Sequence, residues 1–174
     1  MNQVEPGHAF YNVPLGLRLE GPLRVQPLTD ALTELIRRHE TLRTTFRTVD
    51  GIPQQQIAAP RPATLPMVDL QDVPQAEREA ELARLADEEI RRPFDLENGP
   101  LLRHSLVRLS PNEHALLLSM HHTITDGWSR GLVMRELSAL YAAFCAGEPS
   151  PLDELKVQYG DFATWQQGSV EGDE

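Results

Sequence analysis

Apolar and polar residues alternate over Tyr11–Glu20, with Leu15, Leu17 and Leu19 on one side. This period of two predicts a half-buried strand, closed by Gly21-Pro22. From Gln26 to His39 the period lengthens: Leu28, Ala31, Leu32, Leu35 and Ile36 recur at the spacing of an amphipathic helix. Thr44–Val49 and Pro53–Ile57 flank Asp50-Gly51, a strong hairpin-turn signal. Ala58–Pro66 is proline-rich and reads as an extended covering loop. A charged helix is expected over Pro74–Arg92, with Leu82, Leu85, Ala86 and Ile90 on one face and Pro93 as its stop. Phe94–Pro100 is a turn-rich connection, and two strands follow, Leu101–Leu109 and His114–His121. The second is apolar on both faces, which predicts a central place in its sheet. Trp128–Phe144 reads as a helix with Trp128, Leu132, Leu137, Leu140, Tyr141 and Phe144 inward. Gly147–Pro151 breaks it, and Tyr159–Gln167 forms a last short helix. Helices and strands mix throughout without an internal repeat, so the expected fold is an α/β two-layer sandwich.

Composition narrows the function more than the fold. A chain of 174 residues suffices for one domain or lobe with a real core. The longest apolar run, Ala115–Met120, falls far short of the ~20 residues a membrane span needs. Met1–Gly7 is polar and lacks the apolar core of a signal peptide, so a cytoplasmic location is the default expectation. The single cysteine, Cys145, excludes an internal disulfide and a cysteine-based metal cage, and it reads as a small buried hydrophobe. A net charge of −10 argues against nucleic-acid binding, which needs clustered Lys and Arg.

The chemistry concentrates in Met120-His121-His122-Thr123-Ile124-Thr125-Asp126-Gly127-Trp128-Ser129, where a buried strand runs through a short loop into a helix. Neighbouring side chains on a strand point to opposite faces, so His121 and His122 divide their work. One orients the loop and the other faces a cavity. A histidine there can accept or relay a proton at neutral pH. Gly127 permits backbone conformations or a close approach that a Cβ would obstruct, and the amides of the following helix favour developing negative charge. Two histidines and one aspartate are a poor ligand set, so no metal is expected. Asp126 also has the alternative role of helix N-cap, and Ser129 shows no nucleophile-elbow pattern.

This segment resembles the HHxxxDG signature of the condensation domains of nonribosomal peptide synthetases. Three further stretches resemble motifs of that family in the same order. They are Arg38-His39-Glu40-Thr41-Leu42-Arg43-Thr44-Thr45-Phe46, Pro93-Phe94-Asp95-Leu96-Glu97-Asn98-Gly99-Pro100-Leu101-Leu102-Arg103, and Tyr159-Gly160-Asp161-Phe162-Ala163-Thr164-Trp165-Gln166. In the last, Phe162 replaces the family's second tyrosine. The resemblance implies a chloramphenicol-acetyltransferase-like lobe with a mixed sheet covered by helices, residues 1–174 forming the N-terminal lobe. The family's first motif and its C-terminal lobe are expected to lie outside the chain, which then holds one wall of the reaction tunnel and is inactive alone. By position His122 is the tunnel-facing catalytic histidine, as base or as amine-positioning group, and Gly127 offers its backbone amide at the reacting centre. His121 and Asp126 hold the loop, with Arg43 the expected ion-pair partner of Asp126 ahead of Arg103 and Arg130. Trp128 and Ser129 are candidates for the tunnel lining and resemble the subtype joining two L-configured units. No cofactor is expected to bind directly, because the substrates ride on phosphopantetheine arms. The implied partners are donor and acceptor peptidyl carrier proteins and adjacent adenylation and carrier domains, with neither nucleic acid nor membrane. A carrier-docking half-domain without turnover and a stand-alone acyltransferase of the same superfamily are the alternatives.

Overall fold

The computed structural model describes residues 9–170. The polar stretch Met1–Gly7, read above as lacking a signal-peptide core, lies outside them. Strand β1 (Asn12–Glu20) leads to helix α1 (Val25–Arg38), and a 3-10 turn (Glu40–Arg43) enters the hairpin β2 (Thr44–Val49) and β3 (Ile52–Ile57). Next come strand β4 (Met67–Asp69), helix α2 (Arg78–Arg91), strands β5 (Leu102–Ser110) and β6 (Glu113–His121), and helices α3 (Gly127–Ala146) and α4 (Tyr159–Val170). Four strands form a mixed sheet in the order β1-β6-β5-β4: β6 is antiparallel to both neighbours and β4 is parallel to β5. β6 is central, as its two apolar faces require.

Alternation along β6 decides which helices cover which face. Leu116, Leu118 and Met120 pack with Leu28, Leu32 and Leu35 of α1 and Val133, Leu137 and Leu140 of α3. Ala115 and Leu117 turn the other way, joining Val107, Leu109 and the α2 residues Leu82 and Leu85. The fold is α/β with a mixed sheet, as expected. The sheet and the α1–α3 pair make two layers, and α2 adds a thinner third on the opposite face, because β5 and β6 are apolar on both sides.

Two details depart from the sequence reading. β4 was not anticipated, since three residues are too few to show an alternating pattern. Trp128 is 84% exposed rather than inward, and the buried face of α3 is Val133, Glu136, Leu137 and Leu140. Trp128 sits in the first turn of α3, ahead of the residues through which that helix packs into the core.

A buried polar junction fixes the ends of these elements. Glu136 Oε2 accepts from Arg38 Nε at 3.3 Å and contacts His39 Nε2 at 2.8 Å. Gln158 spans the turn after α1, donating to Arg38 O at 2.9 Å and accepting from Glu40 N at 3.3 Å. The connection after α2 docks on the hairpin through Phe46 N–H to Leu96 O at 2.7 Å. Gly99 is needed there: its φ is +63°, and a Cβ would lie 2.8 Å from Thr45 Cγ2. No helix among the described residues is long and apolar enough to cross a membrane.

Candidate active site

The end of β6 presents the two histidines in different environments. His121 is 4% exposed, on the α2 side, with its ring centroid 5.9 Å from those of both Tyr11 and Phe94. Phe94 is backed by the Arg103 guanidinium 3.6 Å above its ring, and Arg103 also pairs with Glu89 and caps the end of α2 at Arg92 O. His121 Nδ1 accepts from Thr123 N at 3.2 Å and lies 2.9 Å from Thr123 Oγ1, while Ile124 N–H donates to His121 O. The first histidine therefore orients the loop. Burial holds its imidazole below the usual histidine range, and His122 adds a smaller push in the same direction. His122 is exposed, its backbone held by N–H donation to Tyr11 O at 2.8 Å. One ring is buried and bonded to the loop and the other is exposed, as the alternation of a strand allows, but His122 does not line the cleft at Thr123 and Ile124.

The expected Asp126–Arg43 ion pair is not formed. Asp126 is exposed and N-caps α3, its Oδ1 accepting from Ser129 N at 2.7 Å and Ser129 Oγ at 2.6 Å. Those bonds hold its carboxyl below the usual carboxylate range, the serine hydroxyl contributing most. Arg43 is committed to the hairpin junction, donating to Ala58 O and to Glu40 Oε1. Of the two rivals, Arg103 serves α2, and among the described residues no arginine pairs with Asp126. The reason is local: a capping aspartate satisfies an otherwise orphaned helix amide three residues away without desolvation, which a distant buried pair cannot match. Ser129, expected at the tunnel wall, is thus part of the cap.

Gly127 opens α3. Its φ is not left-handed, and an added Cβ would meet nothing within 4 Å. The chain's own packing does not demand glycine here. Thr123 and Ile124 line a shallow cleft with Glu40, Thr44, Phe46, Ile57 and Tyr159. Three of the four motifs therefore meet at this cleft, and the fourth reaches the site through Phe94 on His121. Among the described residues no group of three or more His, Cys, Asp or Glu is arranged to hold a metal ion. Sequence reasoning missed Thr123 as the partner of His121, and also Tyr11 and Asn12. Thr123 carried a local signal, a hydroxyl two residues past a histidine, whereas the other two emerge only from the β1–β6 register.

A family model described as Condensation domain matches residues 1–174. The chain is 47% identical over 165 residues to chondramide synthase cmdD of Chondromyces crocatus, covering 95% of this chain and 4% of that synthase. Among solved structures, the first condensation domain of the calcium-dependent antibiotic synthetase, in complex with a substrate analogue, superimposes with a TM-score of 0.84 at 26% identity, covering 97% of this chain and 40% of that one. The X-domain from teicoplanin biosynthesis, in its complex with OxyB, gives a TM-score of 0.81 at 32% identity, covering 93% of this chain and 34% of the other.

Proposed function

Because the chain belongs to the condensation-domain family of nonribosomal peptide synthetases, we propose that it supplies the histidine-bearing lobe of an amide-forming acyltransferase. The observation that carries this reading is the division of the histidine pair, with His121 buried and bonded into the loop and His122 accessible beside the N-terminus of α3. In the proposed reaction the amine of a carrier-bound aminoacyl thioester attacks the thioester carbonyl of a carrier-bound donor. The C–N bond forms, the C–S bond breaks, and the amine proton ultimately reaches the departing thiolate. His122 positions that amine or takes its proton. The Gly127 amide, in the first turn of α3, is suited to the developing oxyanion. No group is bound by the lobe itself, the phosphopantetheine arms belonging to the donor and acceptor carriers.

The chain spans 4% of the chondramide synthase and 40% of the antibiotic-synthetase condensation-domain chain. The exposed aromatic side chains Tyr159, Phe162 and Trp165 form a row along α4, an apolar face suited to a second lobe. In the complete parent domain with both carriers loaded, His122→Ala is expected to lower dipeptide formation by about 10²–10⁴-fold. Unchanged turnover removes His122 from the mechanism. Residues 1–174 alone are expected to give no useful condensation, since one wall cannot hold two tethered substrates in register. A carrier-docking role without turnover is the second reading, favoured by the kinship to an X-domain solved with a protein partner. Carrier binding by a parent domain that makes no dipeptide decides for it.

A further inference from the structure

The cleft beside the signature loop is biased toward ligands that donate hydrogen bonds. His121 Nδ1 accepts Thr123 N–H, so the proton of the neutral ring sits on Nε2 and Nδ1 offers only a lone pair. Burial favours that neutral form. At 2.9 Å from Nδ1, Thr123 Oγ1 must therefore be the donor of their contact, and a hydroxyl has one proton to give. Any further bond that Thr123 Oγ1 makes is one it accepts. Thr123 is exposed and lines the cleft.

Glu40 is the only charged residue lining the same cleft. Arg43 donates to its Oε1 at 3.2 Å, while Oε2 has no hydrogen-bond partner among the described residues. Phe46, Ile57 and Ile124 supply apolar walls, and the room between them, about 10 Å³, suits one water-sized group. A carboxylate, an accepting hydroxyl and apolar walls around so small a space fit a primary amine at the end of an apolar stem. An α-amine is largely ammonium at neutral pH, which the carboxylate favours. An anionic group would meet Glu40 with no cation in the lining to offset it.

We propose that Thr123 and Glu40 form the subsite for the α-amine of the acceptor aminoacyl group, with Thr123 as its specificity-determining residue: the hydroxyl, its own proton held by His121, accepts an amine N–H. The inference rests on the acyl-transfer reading, in which that amine is the nucleophile. It gives His121 a task beyond shaping the loop, since Nδ1 fixes the polarity of the hydroxyl. A hydroxyl free to rotate could donate to the amine lone pair, which is the pair that must attack the thioester carbonyl.

The test is calorimetric binding of the complete parent domain to its acceptor carrier, loaded with L-alanyl or with propionyl through an amide that cannot transfer. The two probes differ by the amine alone. The wild type is expected to bind the alanyl carrier about fivefold more tightly, the equivalent of one hydrogen bond. Thr123→Ser should keep that preference and Thr123→Val should abolish it. A merely structural role for Thr123 would weaken both carriers alike in Thr123→Val and leave the ratio unchanged, which overturns the proposal. Equal binding of the two carriers by the wild type overturns it as well. If Thr123→Val does not fold, Glu40→Gln decides: loss of the carboxylate charge should narrow the preference, and an undiminished ratio sinks the subsite. Neither probe reacts, so the result is independent of the dipeptide assay on His122→Ala, and either reading can fail without the other.

Discussion

Glu136→Ala is the most informative stability test, because the buried junction leaves its partners little other support. The Arg38 and Glu136 side chains are only 3% and 8% exposed. Arg38 retains, besides the carboxylate, only a long bond to Leu152 O at 3.4 Å, and His39 loses its 2.8 Å contact to the same oxygen. Breaking a buried pair by removing one partner costs about 3–5 kcal/mol, since the other charge is stranded. That is a large share of the ~5–15 kcal/mol available to a whole domain. Glu136→Gln keeps the shape and a neutral acceptor, so the loss should fall to about 1–2 kcal/mol. The double replacement Arg38→Leu with Glu136→Leu strands no charge at this pair and should recover most of the stability lost in Glu136→Ala. Urea unfolding followed by circular dichroism measures all three. A loss below about 1 kcal/mol in Glu136→Ala refutes the reasoning, because an uncompensated buried guanidinium cannot be that cheap.

Three other outcomes follow from the same geometry. Gly99→Ala should destabilise the chain by about 1–3 kcal/mol in the same unfolding assay, from a left-handed backbone plus the clash with Thr45, and unchanged stability means that the turn relaxes freely. A double-mutant cycle on Asp126→Ala and Arg43→Ala should give additive effects, Asp126→Ala fraying the first turn of α3; measurable coupling would restore the ion pair. Burial holds His104, His114 and His121 below the usual histidine range, so the unfolded chain binds more protons near pH 6.5 than the folded one. Stability should therefore be intact above about pH 6.5 and fall as pH drops toward the folded values, by up to about 1.4 kcal/mol per pH unit for each histidine. Urea midpoints that rise on acidification through this window contradict the assignment.

Elements whose patterns repeat several times were legible in the sequence. α1 rests on a period that only a helix satisfies, the hairpin on the Asp50-Gly51 turn, and the central place of β6 on apolar residues at successive positions. The contrast between a buried His121 and an exposed His122 was legible because strand alternation is local geometry. The partner of Asp126 was not. Sequence shows which charges exist, while pairing depends on which competing bond is cheaper, and a serine three residues along won over Arg43. Asn12 was invisible as a neighbour of His121, since nothing in Asn12–Glu20 reveals its pairing register with a strand that begins at Glu113. Trp128 was assigned inward from helical spacing alone, which does not say where along a helix its core contacts begin.

Among the described residues β1 pairs only with β6, the last of the four strands in chain order, and this orders events during synthesis. Glu20 finds its partner in Glu113, and Asn12 waits for His121. At about 5–20 residues per second, roughly 5–20 s pass between translation of the end of β1 and the first residue of β6. Until then Leu15, Leu17 and Leu19 have no sheet to join, and α1 has only part of its packing surface. Local pieces such as α1 and the β2–β3 hairpin can form early, but the lobe closes only when β6 slots between β1 and β5. The signature histidines, at the very end of that strand, are therefore set in place by the same step that completes the core.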